Sequence, residues 1–401
     1  MNSVASALAG ERSRARGTPA LLIVWGAWLV VMTGANLAAP LYATYAARYG
    51  FSSVVLTAIF ATYAFTLVPS LILFGRLSDR FGRRPVMVAG LAVACGGLAL
   101  FAAAGGTAWL FAARALQGLA VGMIGGPATA ALVEFDERHA LQRPALLAGL
   151  AQAGGSGAGP LIGGAFAQWG PAPRQFCFLV VLGVTVAAGL LLASHVPESG
   201  RRGETWRIQW PRVPRAMRSD FARVSLTAAV LWAAAAMYLS IVPSYSAKLL
   251  HTSDLALLGA ISAVALAASC AVQIASQRRR VPTRLAQKLG LGVLAAGLVA
   301  LAAAGPAHSL VVLIAGALAT GLGHGAGILG AQDELNTLAP DERRGEVTAA
   351  FIACIYALVA VAVVSSGLLA LGISLSDAVG IVALALAAIA VAAAGWQASA
   401  R

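Results

Sequence analysis

Apolar runs of about 20 residues follow one another along almost the whole chain, separated by short polar segments. An α-helix needs about 20 apolar residues to cross the hydrocarbon core of a bilayer, and within that core it satisfies its own backbone hydrogen bonds. The runs are therefore predicted to be transmembrane helices. Twelve spans result, at residues 20–46, 54–76, 85–105, 108–133, 144–167, 176–196, 221–247, 255–276, 286–305, 309–333, 347–371 and 376–396.

The least apolar interval, residues 197–220, separates the first six spans from the last six. The pattern predicts an all-α membrane protein with two pseudo-symmetric six-helix bundles, an arrangement typical of internally repeated transporters. The predicted segments are an N-terminal tail (1–19), a first bundle (20–196), a linker (197–220), a second bundle (221–396) and a C-terminal tail (397–401). The linker is rich in Arg and contains Trp206 and Trp210, which suits a segment on the membrane surface.

Composition and charge agree with a membrane protein. The 401 residues are 59% hydrophobic and only 11% charged, which excludes an ordinary soluble domain. If the spans alternate in direction, 24 of the 28 Lys and Arg residues lie on the side of the termini, three lie on the opposite side, and Arg114 lies within a span. The positive-inside rule then places both termini in the cytoplasm of a bacterial-type inner membrane. The scattered bases do not indicate a nucleic-acid partner.

The sequence contains no pattern typical of a metal, disulfide or nucleotide site. Its four cysteines lie singly in four different apolar runs, and neither of its two lysines belongs to a phosphate-binding loop. No cofactor and no metal are therefore predicted. The expected partners are a small-molecule substrate, protons and the lipid bilayer, and the expected oligomeric state is a monomer.

The segment Gly75–Pro85 carries five charges between two apolar runs. Each charge would cost about 2.5–3.5 kcal/mol at the centre of a transmembrane helix, so the segment is predicted to be a short connection outside the bilayer. Gly82 permits a turn with positive φ, and Asp79 lies where its carboxylate can face a helix N-terminus or an arginine.

This segment resembles the cytoplasmic loop signature of major facilitator superfamily (MFS) transporters, Gly-x-Leu-x-Asp-Arg-x-Gly-Arg-Arg. The resemblance implies the MFS fold and a conformational role for the matching residues, which are Gly75, Asp79, Arg80, Gly82, Arg83 and Arg84. The less specific alternative is an Arg-rich cytoplasmic loop of the kind found in any bacterial membrane protein. The connection between spans 8 and 9 occupies the equivalent position in the second half. It keeps the bases but lacks the Gly and the Asp, which predicts that this second copy of the motif only helps to orient the chain in the membrane.

Three residues within spans are candidates for proton coupling. Arg114 and Gln117 of span 4 resemble the superfamily's intramembrane Arg-x-x-Gln-Gly motif, which implies that they couple proton movement to conformational change. The alternative is that Arg114 only snorkels outward and bonds carbonyl groups. His324 lies near the middle of span 10, and it either carries a proton or remains neutral and bonded to a neighbouring helix.

Span 5 contains closely spaced small residues that permit backbone contact between helices, and a proline that frees a carbonyl group. The pattern resembles the Gly-x-x-x-Gly-Pro-x-x-Gly-Gly signature of the superfamily's drug:proton antiporters. That resemblance implies a seal against leakage. Generic helix packing is the alternative reading of these residues, which are Gly155, Gly159, Pro160, Gly163 and Gly164.

Acidic residues end spans 4 and 10 on the inner side. Glu134 and Asp136 are candidate partners of Arg80 or Arg83, and Asp333 and Glu334 are candidate partners of Arg343 and Arg344. Asp79 is expected to face the start of span 11 near Glu346. Together these residues are predicted to form an inner latch between the two halves.

The resemblance also implies a central cavity, and polar or aromatic residues of its helices are candidate substrate contacts. These candidates are Asn36, Tyr42, Tyr63, Gln152, Trp232, Tyr238, Gln273 and Tyr356. A mostly apolar cavity with a few amides and phenols suits an amphipathic solute. No carboxylate occurs in the central part of any span, which weakens the case for cationic drugs.

The resemblance therefore implies a secondary active transporter that works by alternating access and exports a small amphipathic drug or metabolite in exchange for protons. The first alternative is a symporter or facilitator that imports a sugar or organic acid. A membrane enzyme or sensor is a remote alternative, since its histidines would be expected to cluster at one membrane face and here they are scattered.

Overall fold

Long α-helices form most of the computed structural model, which describes residues 2–136, 142–199, 212–276, 281–340 and 343–399. No β-strand occurs in these ranges, and every predicted span has its own helix there, so the predicted all-α fold with twelve long helices is confirmed. The helices are α1 (Asn2–Asn36), α2 (Ser53–Phe81), α3 (Arg83–Ala102), α4 (Thr107–Glu134), α5 (Gln142–Trp169), α6 (Phe176–His195), α7 (Arg218–Ser240), α8 (Leu255–Ser276), α9 (Thr283–Ala307), α10 (Leu310–Leu338), α11 (Arg344–Leu369) and α12 (Leu375–Ser399).

The charged segment after span 2 is helical rather than a loop. α2 continues to Phe81 and α3 begins at Arg83, so the connection consists of Gly82 alone, whose φ is 103°. Charged residues are compatible with a helix once it extends beyond the hydrocarbon, and glycine reaches this positive φ without a clash of its side chain. We call the end of the molecule at Gly82 the motif side, and the opposite end the far side.

The first helix of each half stops early and restarts at a proline. α1 ends at Asn36 and is followed by a 3₁₀ turn, Ala39–Leu41, and a short helix, Tyr42–Tyr49. α7 ends at Ser240 and is followed by the short helix Val242–Leu249. Pro40 and Pro243 each lie in the first turn of the new segment, where the missing N–H does not interrupt a helical hydrogen bond. The sequence pattern had predicted uninterrupted helices at both places.

Corresponding helices make the same contacts in the two halves. α1 packs on α4, α5 and α6, and α7 packs on α10, α11 and α12. In the first half α4 also packs on α2 and α3, and in the second half α10 packs on α8 and α9. The two six-helix bundles therefore share one packing pattern. They meet along two helix pairs, α5 with α8 and α2 with α11.

Eleven segments of the described chain are long and apolar enough to cross a membrane. α5 is as long as these segments but is not among them. Its sequence contains three Gln residues, an Arg and a Ser among many glycines, which lowers its hydropathy. Such a helix is suited to contact other helices rather than lipid.

Candidate functional site

A cavity of about 610 Å³ lies between the two bundles. It is lined by residues of α1, α2, α3, α4 and α5 from the first bundle and of α7, α10 and α11 from the second. Gly75 and Asp79 of α2 and Gly345 and Glu346 of α11 line its end on the motif side. The cavity therefore extends from the middle of the molecule toward the motif side.

Close backbone contacts along α5 join the bundles on the far side. A Cβ atom on Gly163 would lie 2.1 Å from the carbonyl oxygen of Leu37, and one on Gly164 would lie 2.2 Å from that of Leu255 in α8. The carbonyl group of Pro160 faces Gly259 of α8 at the same close range. Any larger residue at these positions would push the helices apart, so α5 contacts α1 and α8 through glycine surfaces.

The two remaining glycines of the predicted α5 motif also face α1. A Cβ atom on Gly155 would lie 2.5 Å from the carbonyl oxygen of Leu29, and one on Gly159 would lie 2.6 Å from that of Thr33. Leu255 of α8 adds a polar contact, because its backbone N–H donates to Gln168 Oε1 over 2.9 Å. The small residues of α5 thus form a continuous contact with two helices at once.

The cavity wall contains five of the eight predicted contact residues: Asn36, Tyr63, Gln152, Trp232 and Tyr356. Tyr63 and Tyr356 belong to different bundles, and their ring centroids are 6.3 Å apart. The other three lie elsewhere. Tyr42 is buried beyond the end of α1, Tyr238 is buried in the second bundle, and Gln273 is buried where it donates to Ser269 Oγ over 3.1 Å.

Arg83 is the centre of the charged residues at the motif side. It forms a short ion pair with Asp79, donates to Ser78 Oγ over 2.8 Å, and lies 3.4 Å from Glu134 Oε1 of α4. Asp79 is thus paired within its own bundle. Arg80 is exposed, with its guanidinium 5.4 Å from the centroid of the Phe81 ring.

The Gly82 turn also holds the chain that leaves α6. The Glu198 carboxylate occupies the space that a Cβ atom on Gly82 would need, at 2.4 Å. The Arg83 backbone N–H donates to the Ser199 carbonyl over 3.3 Å, and Arg84 donates to the Val196 carbonyl over 3.3 Å. Sequence reasoning missed Glu198, although an acid directly after a predicted span was a visible signal.

Arg114 is buried behind the cavity wall. Its Nη1 donates to the carbonyl oxygen of Ala35 over 2.6 Å and to Gln117 Oε1 over 3.0 Å, and Gln117 in turn donates to the carbonyl oxygen of Gly34 over 3.0 Å. These carbonyl groups lie in the last turn of α1, where the regular helical hydrogen bonds end. The guanidinium also lies 4.7 Å from the ring centroids of Phe60 and Tyr63. Arg114 therefore holds the end of α1 against α2 and α4.

His324 is buried between α7, α8 and α10. Its Nδ1 lies 2.8 Å from Ser269 Oγ, while its Nε2 has no partner among the described residues. The Trp232 ring meets the imidazole edge to face, with centroids 4.8 Å apart. Because Trp232 also lines the cavity, it connects the cavity surface to His324.

Glu134 at the end of α4 meets Arg83, one of its expected partners, whereas Asp136 and Glu334 have partners other than those expected. Asp136 pairs with Arg143 over 3.3 Å rather than with Arg80 or Arg83. Glu334, expected to pair with Arg343 or Arg344, instead accepts from Arg223 of α7 over 2.6 Å. The end of α10 packs on α7 and α9, so its buried carboxylate meets their side chains first.

The hydrogen bonds of Glu334 extend through the second bundle. We call the residues that they join the Glu334 cluster: Arg223, Arg284, Gln287, Glu334 and Gln397. Gln287 donates to Glu334 Oε2 over 2.6 Å and accepts from Gln397 over 2.7 Å, and Arg284 lies 3.4 Å from Glu334 Oε1. Asp333 is exposed, and Arg343 pairs with Glu346 over 3.2 Å. The ion pair of Arg284, at the start of α9, with Glu334, near the end of α10, corresponds in position to the pair of Arg83 and Glu134 in the first bundle. Sequence reasoning did not detect this correspondence.

Within the described residues, no group of three or more His, Cys, Asp or Glu side chains is placed to hold a metal ion. The four cysteines are free. The polar chemistry near the cavity therefore consists of single titratable groups, amides, hydroxyl groups and indole N–H groups.

The chain is similar in sequence to known membrane transporters. The sequence profile described as Major Facilitator Superfamily matches residues 24–364. The Multidrug transporter MdfA of Yersinia pestis bv. Antiqua (strain Angola) is 37% identical over 131 residues, which are 32% of this chain and 31% of that protein. The MdfA of Edwardsiella piscicida is 36% identical over 138 residues, 33% of this chain and 32% of that protein. The match thus spans about a third of these curated relatives.

Solved structures show the same fold over nearly the whole chain. A bacterial homolog of the human lysosomal transporter Spinster, in an inward-facing and unoccupied conformation, has a TM-score of 0.69 at 14% identity, covering 95% of this chain and 96% of that one. A POT family transporter in complex with a thioalcohol conjugated peptide has a TM-score of 0.76 at 12% identity, covering 94% and 95%. At such identities the likeness shows the fold alone.

Proposed function

The chain belongs to the Major Facilitator Superfamily and is therefore a transporter rather than an enzyme; from this premise we propose that it exports a small amphipathic compound in exchange for protons. The proposed mechanism is alternating access, in which the two bundles rock around the shared cavity. One observation carries the proposal. A cavity of about 610 Å³ reaches the motif side while glycine contacts join the bundles on the far side.

We place the motif side in the cytoplasm of a bacterial-type inner membrane. The distribution of Lys and Arg supports this orientation, because 24 of the 28 lie in connections and tails that fall on that side of the predicted spans. A cavity open to the cytoplasm is the state in which an exporter collects its cargo. The partial similarity to multidrug transporters supports a drug or metabolite as cargo.

The proposed proton carrier is His324. An exchanger needs a titratable group near the middle of the membrane, and His324 lies near the middle of its predicted span. Trp232 contacts both the cavity and the imidazole, so a substrate that moves the indole also changes the surroundings of His324. One proton crossing about 150 mV supplies roughly 3.5 kcal/mol, enough for a gradient of about 300-fold in a neutral solute.

Uptake into everted vesicles tests both export and coupling. The assay compares neutral aromatic antibiotics, lipophilic cations and sugars, with and without a proton uncoupler. We expect a neutral aromatic compound to accumulate and the uncoupler to abolish its accumulation. We expect His324→Gln to retain downhill movement but to lose accumulation, because Gln cannot carry the proton.

The matched control is His195→Gln, which makes the same substitution at an exposed residue at the end of α6. This variant should accumulate substrate like the wild type. Accumulation that survives the uncoupler would contradict proton exchange. Uptake of a sugar into right-side-out vesicles would instead support the import alternative.

A further inference from the structure

A polar seam lines the cavity where α1 meets α5. Trp28 and Asn36 of α1 lie eight residues apart, and Gln152 and Ser156 of α5 lie four residues apart, so each pair shares one helical face. All four residues line the cavity. The opposite wall, from α7 and α11, presents mainly rings and aliphatic side chains, such as Trp232, Phe351 and Ile355.

Trp28 contributes an unused hydrogen-bond donor to this seam. Its side chain is 5% exposed, and its indole N–H has no partner among the described residues. The neighbouring Trp25 provides a contrast, because its indole N–H donates to the Leu147 carbonyl over 3.1 Å and the residue is not part of the cavity wall. A buried donor without an acceptor costs about 1–3 kcal/mol, so a ligand that offers an acceptor to Trp28 gains affinity.

Asn36 contributes an acceptor to the same seam, about two helical turns along α1 from Trp28. Its amide nitrogen donates to the Met32 carbonyl over 3.0 Å and to Ser156 Oγ over 3.3 Å. Both amide hydrogens are used in this way, which leaves the carbonyl oxygen of Asn36 for a ligand. Ser156 accepts the bond from Asn36, so its own hydroxyl proton remains available as a donor.

The cavity offers no charge at the depth of this seam. The charged residues among its described lining are Asp79, Arg83 and Glu346, and all three lie at the motif-side ends of their helices. Asp79 pairs with Arg83, and Glu346 pairs with Arg343. An ionic ligand beside Trp28 would lose its hydration without meeting a counter-charge, which is costly.

We propose that the cavity binds uncharged aromatic carboxamides, whose carbonyl oxygen accepts from Trp28 while the aromatic groups face Trp232 and Phe351. This inference rests on the proposed function only in taking the cavity as the substrate site. Binding to purified protein in detergent, without any gradient, tests it separately from transport. A failure of proton coupling in vesicles therefore leaves it intact, and a failure of binding leaves export of another compound class intact.

The test measures dissociation constants for two neutral probes that differ in one group. Benzanilide carries the carbonyl oxygen, and N-benzylaniline has CH₂ in its place. We expect Trp28→Phe, which removes the indole N–H, to weaken benzanilide binding about tenfold and to leave N-benzylaniline binding unchanged. The matched control Trp25→Phe should leave the ratio of the two dissociation constants at its wild-type value.

A second variant and a third probe keep the proposal testable if Trp28→Phe does not fold. Gln152→Leu removes another polar group of the seam at a half-buried position and should weaken benzanilide severalfold more than N-benzylaniline. Tetraphenylphosphonium should bind the wild type at least tenfold more weakly than benzanilide. An unchanged probe ratio in folded Trp28→Phe or Gln152→Leu would overturn the proposal, as would equal or tighter binding of the cation.

Discussion

Arg83 links three parts of the motif side through its side chain and its backbone N–H. It pairs with Asp79 of α2 and with Glu134 of α4, and its backbone N–H bonds to Ser199 beyond α6. Charge-assisted bonds of this kind fix the geometry of a turn more firmly than neutral ones. The position of the Gly82 turn therefore depends on charges from separate segments of the first bundle.

We predict that Asp79→Asn slows export about fivefold, which corresponds to a shift of about 1 kcal/mol in the equilibrium between the two orientations of the transporter. The substitution removes the charge that Arg83 faces but keeps the size of the side chain. The measurement is initial uptake into everted vesicles, normalised to the amount of protein in the membrane. Asp377→Asn, at an exposed residue at the start of α12, is the control. Normal expression with unchanged export in Asp79→Asn would refute the predicted role of this pair.

At the scale of one element, α5 combines two properties that are usually separate. Its glycines contact the backbones of α1 and α8, and its polar residues Gln152 and Ser156 line the cavity. The cavity residues lie nearer the motif-side end of the helix, and the contacts of Gly163 and Gly164 lie nearer its far-side end. A change in the packing of α5 is thus expected to affect both the closure of the far side and the ligand seam.

We predict that Gly159→Ala destabilises the protein by about 1–3 kcal/mol, because the added Cβ atom would lie 2.6 Å from the Thr33 carbonyl oxygen. Gly154→Ala is the matched control on the same helix, since its Cβ atom would meet Leu29 at an ordinary 3.6 Å. The control should be as stable as the wild type or slightly more so. Thermal unfolding in detergent measures stability, and proton leakage in vesicles measures the seal. Equal behaviour of the two variants would argue against tight packing at Gly159.

At the scale of the whole molecule, the two bundles share one pattern of helix contacts but differ in chemistry. The first bundle carries Arg114, the Gly82 turn and the polar seam, and the second carries His324 and the Glu334 cluster. The cavity lies between these two unlike halves. Rigid-body motion of one bundle against the other is the form of conformational change that such a division favours.

We predict that the motif side faces the cytoplasm, which a pair of cysteine substitutions tests in a variant without the four native cysteines. Arg80→Cys and Lys248→Cys lie at exposed positions on the motif side and the far side, respectively. A membrane-impermeant maleimide should label Lys248→Cys in intact cells and Arg80→Cys only in everted vesicles. The reverse pattern would contradict the orientation and with it the proposed direction of transport.

The sequence by itself determined the elements and the main motifs of this protein. Transfer of charged residues into hydrocarbon is so costly that apolar runs and basic connections specify the twelve spans. The small residues of α5 were also recognisable, because their spacing places them on one helical face. The breaks at Pro40 and Pro243 were in principle visible too, since a proline near the far end of a long run favours a new start of the helix.

Only the tertiary structure decided which side chains meet. Sequence spacing identified Glu334 as an inner acid but not its partners, which come from α7 and α9, and it identified Gln273 as polar but not its burial beside Ser269. Trp28 has no motif, and its unpaired indole N–H is evident only once α1 and α5 are packed. The physical reason is that helical periodicity specifies the face on which a residue lies, whereas the residue opposite that face comes from a helix far away in the sequence.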